Sequence, residues 1–210
     1  MSLILSTAAI LIAYLFGSIP MGYIVARLYG VDVTASGSGR IGGTNVLRAA
    51  GVSAAGLTVL GDVFKGLLPI FFMVQIAVNP LVVALAMTAA VLGHNYSIFL
   101  RFKGGVGAGT AIGTVAGLSV IAGLIVATCG LIALGLSRYA SVLSTTIAIS
   151  SVIVLATYAT LGTMPYEYII GAALNLVVMF YALRPNFARL RAGTERRIGQ
   201  KTENITRMSD

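Results

Sequence analysis

The sequence predicts an all-α, polytopic membrane protein of about seven transmembrane helices. Three observations carry that expectation. Of 210 residues, 58% are hydrophobic and only 10% are charged, against about 25% charged in an ordinary soluble domain. The mean hydropathy is +0.96. A soluble domain of this size leaves most of its surface in water, so it has no place for that much apolar area. The composition also excludes a disordered chain. The single cysteine, Cys129, excludes a disulfide framework and reads as apolar filler.

The spans follow in order. Apolar runs occupy residues 3–26, 56–78, 81–100, 108–136, 140–163 and 166–183, most of them close to the ~20 residues that cross a bilayer. The first has no basic n-region and reads as a retained helix, not a cleaved signal. Basic residues set the orientation. Arg27, Arg40 and Arg48 follow the first run, Arg101 and Lys103 the third, and Arg138 the fourth, while seven basic residues lie from Arg184 onward. The connections at Asn79–Pro80 and Gly162–Pro165 carry none. The positive-inside rule then places the N-terminus outside and the C-terminus in the cytoplasm. Both Arg101/Lys103 and Arg138 are cytoplasmic only if residues 108–136 cross an even number of times. That run is predicted to be two short helices turning near Gly117–Ser119, for seven crossings. One long tilted helix is the alternative. Gly105, Gly109, Gly113 and Gly117 recur every four residues and predict a smooth packing face.

Residues 1–184 read as one membrane domain and 185–210 as a basic cytoplasmic tail. Arg189, Arg191, Arg196, Arg197 and Lys201 suit a surface helix on anionic headgroups. The net charge of +8 points to orientation and anionic lipid, not to nucleic acid.

Polar chemistry collects on the side read as cytoplasmic. The first segment is Gly37-Ser38-Gly39-Arg40-Ile41-Gly42-Gly43-Thr44-Asn45, then Arg48. Its glycines free backbone N–H groups to converge on an anion, with Ser38, Thr44 and Asn45 as neutral donors and Arg40 and Arg48 as charged ones. A flexible linker is the plain alternative, and no nucleotide P-loop pattern is present. The second is Gly61-Asp62-Val63-Phe64-Lys65-Gly66. Asp62 and Lys65 share a helix face, either as an orienting pair or as the lining of a polar site. The third is Gly93-His94-Asn95-Tyr96, then Phe102-Lys103-Gly104-Gly105-Val106-Gly107. A fourth is Arg138-Tyr139-Ala140-Ser141. A Ser38–His94–Asp62 triad is conceivable, without a local signature behind it. Phe99 stands five positions after His94, which removes a His-x4-Asp dyad. With one His and one Cys there is no metal cluster, and no cofactor is expected. What remains is a set of anion cradles that bind phosphorylated substrates and act by positioning and electrostatics.

These segments, in this order and spacing, resemble the bacterial acyl-phosphate-dependent glycerol-3-phosphate acyltransferases over about residues 3–198. The resemblance rests on Gly17-Ser18-Ile19-Pro20-Met21-Gly22 and on Gly37-Ser38-Gly39 with Gly42, Thr44, Asn45 and Arg48. It continues through Asp62 with Lys65-Gly66, Gly93-His94, Phe102-Lys103-Gly104-Gly105 with Gly107, and Arg138-Tyr139 with Ser141. It implies seven helices with a cytoplasmic-side site in the bacterial inner membrane. It also implies transfer of a fatty acyl group from acyl phosphate to the 1-hydroxyl of glycerol 3-phosphate, giving lysophosphatidic acid and phosphate. The expected partners are those two substrates, anionic lipids and an acyl-phosphate-forming enzyme.

By resemblance, Ser38 and Arg48 hold glycerol 3-phosphate, with Gly37, Gly39, Arg40, Thr44, Lys65 and Lys103 also at the substrate site. The backbone at Gly104, Gly105 and Gly107, with Ser141, holds the acyl-phosphate anion. Asn45 and His94 support the loops and the reacting hydroxyl, and a substrate phosphate takes the proton. The chain departs from the family pattern in several places. Arg40 replaces an Asn, Gly43 an Ala, Val106 a Lys and Ser97 a Pro. Thr34 stands where a basic residue is usual, and a histidine near Leu183 is missing. Arg40 is expected to stand in part for the lysine lost at Val106. The competing readings are a weak or inactive paralogue that binds lipid phosphates or a partner enzyme, and an unrelated transporter. A transporter would want ionisable groups near the midplane.

Overall fold

A computed structural model describes residues 2–200. Among them, eight α-helices form a bundle: α1 (Leu3–Ser18), α2 (Met21–Leu28), α3 (Gly43–Gln75), α4 (Pro80–Asn95), α5 (Ala108–Leu118), α6 (Val120–Ser137), α7 (Ala140–Thr160) and α8 (Glu167–Arg191). Among the described residues there is no strand, only an isolated bridge between Ser97 and Lys103. Five of the described segments are long and apolar enough to cross a membrane, the first being α1 and α2 together; α4 and α5 are shorter apolar helices. Large apolar side chains such as Leu3, Leu124, Leu131, Ile153 and Val177 stay exposed around the bundle. That is the surface a bilayer solvates and water does not.

Local chemistry sets the breaks. Pro20 has no N–H to continue α1, so the chain turns at Ile19–Pro20 and restarts as α2. Between α5 and α6 a single residue, Ser119, makes the turn. Its N–H bonds the Val115 carbonyl at 3.0 Å and its hydroxyl accepts from Ala122 N–H at 3.3 Å. The turn expected within residues 108–136 is therefore present. Its two arms are unequal, 11 residues in α5 and 18 in α6. The other short helix is α4, with 16 residues, because the third apolar run leaves the helix at Asn95.

Helix directions follow from the contacts. The end of α1 meets the end of α4, where Ser97 Oγ donates to the Ser18 carbonyl. α3 and α5 run side by side away from that face, and α6 returns to it. Arg138, at the end of α6, meets Ile198 beyond α8. The start of α1 and the end of α8 thus lie on opposite faces, as an odd number of crossings requires.

Two further segments differ from their expected extents. α3 begins at Gly43, well before the apolar run at 56, and bends at Gly51, where φ is 90°. The short arm before the bend carries Asn45 and Arg48. α8 continues through Pro185 to Arg191, so the boundary expected at 184/185 falls inside a helix. Arg189 and Arg191 ride on α8, and Arg196 and Arg197 follow it. Lys201 lies outside the described residues.

Two cores hold the described residues together. The larger lies between the spans around Met87, Ile147, Leu155 and Met179. The smaller, around Val25, Val33, Ile41 and Val46, lies beneath the loop between α2 and α3. Small residues let backbones touch. A Cβ on Gly113 would run into the Val63 carbonyl of α3, and one on Gly117 would meet Leu67 and Ile70. Gly113→Ala is expected to push α3 and α5 apart at a cost of about 1–3 kcal/mol. The measurement is the thermal midpoint in detergent, with Gly135→Ala as control, since nothing lies within 4 Å of that position.

Candidate active site

Asn45 organises the first wall. It is 3% exposed, and its Nδ2 lies within hydrogen-bond distance of the carbonyls of Val33 (3.1 Å), Ser36 (3.0 Å) and Arg40 (2.8 Å). Its Oδ1 accepts from Ser38 N–H at 3.2 Å. One side chain thus replaces the ladder that a loop lacks. Gly37 and Gly39 take φ of 60° and 67°, a region glycine enters without steric cost. Ahead of them, the Asp32 carboxylate accepts from Thr34 N–H and Oγ1 at 2.9 and 2.6 Å. Ser38 is left exposed at the loop tip, and Thr44 is half-buried at the start of α3.

The second wall rests on a buried charge cluster. Asp62, Lys65 and His94 are each 2–3% exposed. Asp62 Oδ1 lies 2.8 Å from Lys65 Nζ and 3.3 Å from His94 Nδ1. Lys65 Nζ also donates to the Ile19 carbonyl at 2.7 Å. Of the two readings open for Asp62 and Lys65, the orienting pair is the one the geometry displays: the ammonium is spent on a carboxylate and a carbonyl. The Nε2 of His94 abuts the bare Cα of Gly105. Among the described residues no hydrogen bond joins Ser38 to His94, so the structure assembles no Ser38–His94–Asp62 triad.

The glycine loop hangs from His94. Gly105 N–H donates to the His94 carbonyl at 3.2 Å. With its amide nitrogen toward the loop, Asn95 reaches the Val91 and Val106 carbonyls, both at 3.1 Å. Gly107, at φ 91°, caps α5, whose first N–H groups are free of intrahelical partners. Val106 packs against the larger core, and Lys103 is exposed. Ser141 lies one residue into α7, 1% exposed, its hydroxyl without a hydrogen-bond partner among the described residues.

A cavity of about 290 Å³ is lined by Arg40 of the first wall, by Gly104 and Gly105 of the glycine loop, and by Tyr181 and Arg184 of α8, among others. Arg40 reaches over to α8. Its Nη1 donates to Asn186 Oδ1 at 3.1 Å and its Nη2 to the Ala182 carbonyl at 2.8 Å. Burial lowers its pKa from the ordinary value, Arg189 adds to that, and Glu195 opposes it. Arg48 Nη2 donates to the carbonyls of Arg196 and Arg197 at 3.2 and 3.4 Å, and its Nε is buried without a partner among the described residues. Arg184 stacks over the Tyr181 ring at 3.5 Å. Sequence reasoning missed Tyr181 and Arg184 at the cavity, and Asn186 as the partner of Arg40. The missing signal was helical: α8 reaches the site only because it continues past Leu183.

Comparisons with known proteins point to one family. A family model described as glycerol-3-phosphate acyltransferase matches residues 7–193. A glycerol-3-phosphate acyltransferase of Thermus thermophilus is 41% identical over 200 residues, covering 94% of this chain and 98% of the relative. One from Roseiflexus is 40% identical over 197 residues, covering 94% and 97%. A crystal structure of PlsY, an integral membrane glycerol 3-phosphate acyltransferase in its glycerol 3-phosphate form, superposes with a TM-score of 0.83. It is 34% identical and covers 92% of this chain and 96% of that one. The lysophosphatidic acid form gives 0.82.

Removing one member of a buried ion pair costs about 3–5 kcal/mol, because the other charge stays buried and unpaired. Asp62→Asn is therefore expected to lower stability by that amount. The double variant Asp62→Asn/Lys65→Met is expected to recover most of it, which denaturation in detergent measures.

Proposed function

Because the chain belongs to the glycerol-3-phosphate acyltransferase family, we propose that it transfers a fatty acyl group from acyl phosphate to the 1-hydroxyl of glycerol 3-phosphate. The hydroxyl oxygen attacks the acyl carbon, the bond from that carbon to the phosphate oxygen breaks, and the departing phosphate takes the hydroxyl proton. Lysophosphatidic acid and inorganic phosphate result. Acyl phosphate is already an activated anhydride, so the protein's task is to hold two anions at the reacting distance.

The observation that carries this reading is the cavity bounded by Arg40 on one side and the Gly104–Gly105 loop on the other. On the first wall, Ser38, Thr44 and Arg48 hold glycerol 3-phosphate, with Gly37 and Gly39 shaping the loop. On the second, Gly104 and Gly107 offer backbone N–H groups to the acyl phosphate, and Gly105, whose N–H is spent on the His94 carbonyl, holds the loop in shape. Ser141, whose buried hydroxyl has no partner among the described residues, is a further donor, and Lys103 draws anions from the exposed rim. Asn45 and His94 support the walls, and Lys65 fixes the helix ends behind them. Arg40 supplies the charge that Val106 lacks.

The protein works in the bacterial cytoplasmic membrane with the site on the cytoplasmic side, next to anionic lipids and an enzyme that makes acyl phosphate. The positive-inside distribution supports that orientation.

Purified protein given palmitoyl phosphate and glycerol 3-phosphate is expected to release inorganic phosphate in step with lysophosphatidic acid. No release above background, where the Thermus relative turns over, would overturn the reading. Arg40→Asn removes a charge-assisted contact worth about 1.5–3 kcal/mol. It should weaken palmitoyl phosphate binding roughly tens-fold while turnover persists. An unchanged KM would show that Arg40 does not replace the missing lysine.

A further inference from the structure

The segment after α8 folds back over the site, and one carboxylate holds it there. Glu195, 7% exposed in its side chain, accepts from Asn186 Nδ2 through Oε1 and from Arg189 Nε through Oε2, both at 2.7 Å. Asn186 is shared, since its Oδ1 accepts from Arg40 Nη1 at 3.1 Å. The next two residues, Arg196 and Arg197, present the carbonyls that receive Arg48 Nη2. Beyond them, Ile198 N–H donates to the Arg138 carbonyl at 2.8 Å, and Arg197 Nε to Tyr139 Oη at 3.2 Å.

This segment has little else to hold it. Between Ala192 and Gln200 the one sizeable apolar side chain is Ile198, and Glu195 is the one acidic residue beside Arg196 and Arg197. Arg196 approaches Arg48, and Arg189 at the end of α8 approaches Arg40, against like-charge repulsion. Glu195 offsets that repulsion and stands one amide away from Arg40 and one peptide away from Arg48.

We propose that Glu195 is a positioning residue for both phosphate-binding arginines, orienting Arg40 through Asn186 and Arg48 through the carbonyls that follow it. It touches neither substrate. It fixes two guanidinium groups that would otherwise sample many rotamers, so its effect is on binding geometry. The assignment rests on the acyltransfer reading above.

The test is a crossed double-mutant cycle on the full-length protein with palmitoyl phosphate and glycerol 3-phosphate. Glu195→Ala is expected to raise the KM for glycerol 3-phosphate about tenfold and that for palmitoyl phosphate about threefold, as loss of oriented charge-assisted contacts does. In an Arg48→Ala background the first rise should vanish, and in an Arg40→Ala background the second. Glu195→Gln, which keeps the shape, is expected to give the same crossed pattern with smaller rises, so a misfolded alanine variant would not decide the matter. Unchanged KM values, or rises that persist in full without the arginines, would overturn the proposal. Calorimetric titration of glycerol 3-phosphate into wild type, Glu195→Ala and Glu195→Gln reads the same effect without turnover. Absence of acyl transfer in the wild type would count against the reaction, not against Glu195.

Discussion

The glycine-loop side of the cavity hangs on one buried carboxylate. Asp62 lies in the apolar body of α3 at 3% exposure, where an uncompensated charge is expensive. Two partners compensate it, and each does a second task. Lys65 reaches past Asp62 to the Ile19 carbonyl, fixing the break that Pro20 forces between α1 and α2. His94 supplies its carbonyl to Gly105, fixing the glycine loop. One charge thus joins α3 to the break between α1 and α2 and to the glycine loop that borders the cavity. The glycines nearby follow from the same constraint: at position 105 a Cβ would collide with the His94 ring, and at 109 it would press on the Asp62 side chain.

Much of this was legible in the sequence, and the limits have physical causes. Hydropathy marks spans because lipid imposes it on every helix, and the parity of basic residues required a turn inside residues 108–136. Ser119 supplies that turn. Hydropathy is silent where a helix leaves the apolar layer. The arm of α3 carrying Asn45 and Arg48 is polar, and the end of α8 is basic and contains Pro185, so neither reads as part of a span. Of the candidate residues, Arg40, Gly104 and Gly105 meet at one cavity, which Ser38, Thr44, Arg48, Gly107 and Ser141 do not line. Their division of labour was not legible, because it is set by partners far away in the chain. Arg40 ends on Asn186, 146 positions on, and Arg48 on Arg196, 148 positions on.

Those partners sort the cations. Lys65 faces a carboxylate, so its charge is neutralised within the protein and nothing is left for a substrate dianion. Arg40 and Arg48 face carbonyls and an amide oxygen. Neutral acceptors fix a guanidinium in place without cancelling its charge. The carboxylate of Glu195 meets Asn186 and Arg189 and leaves both site arginines to neutral partners. Arginine suits this arrangement where lysine does not, since a planar fork can spend one edge on the protein and keep another for phosphate.

The proposed exchange of charge between Val106 and Arg40 follows the same logic. Val106 packs into the larger core, on the loop whose Gly104 and Gly105 line the cavity. A charge lost from that loop can be restored from the opposite wall if the new cation reaches across and is held there. Arg40 meets both conditions, because Asn45 anchors its carbonyl and α8 anchors its guanidinium. The extension of α8 past Leu183 is therefore more than a connection to the tail. It supplies the acceptors that fix the Arg40 guanidinium beside the cavity.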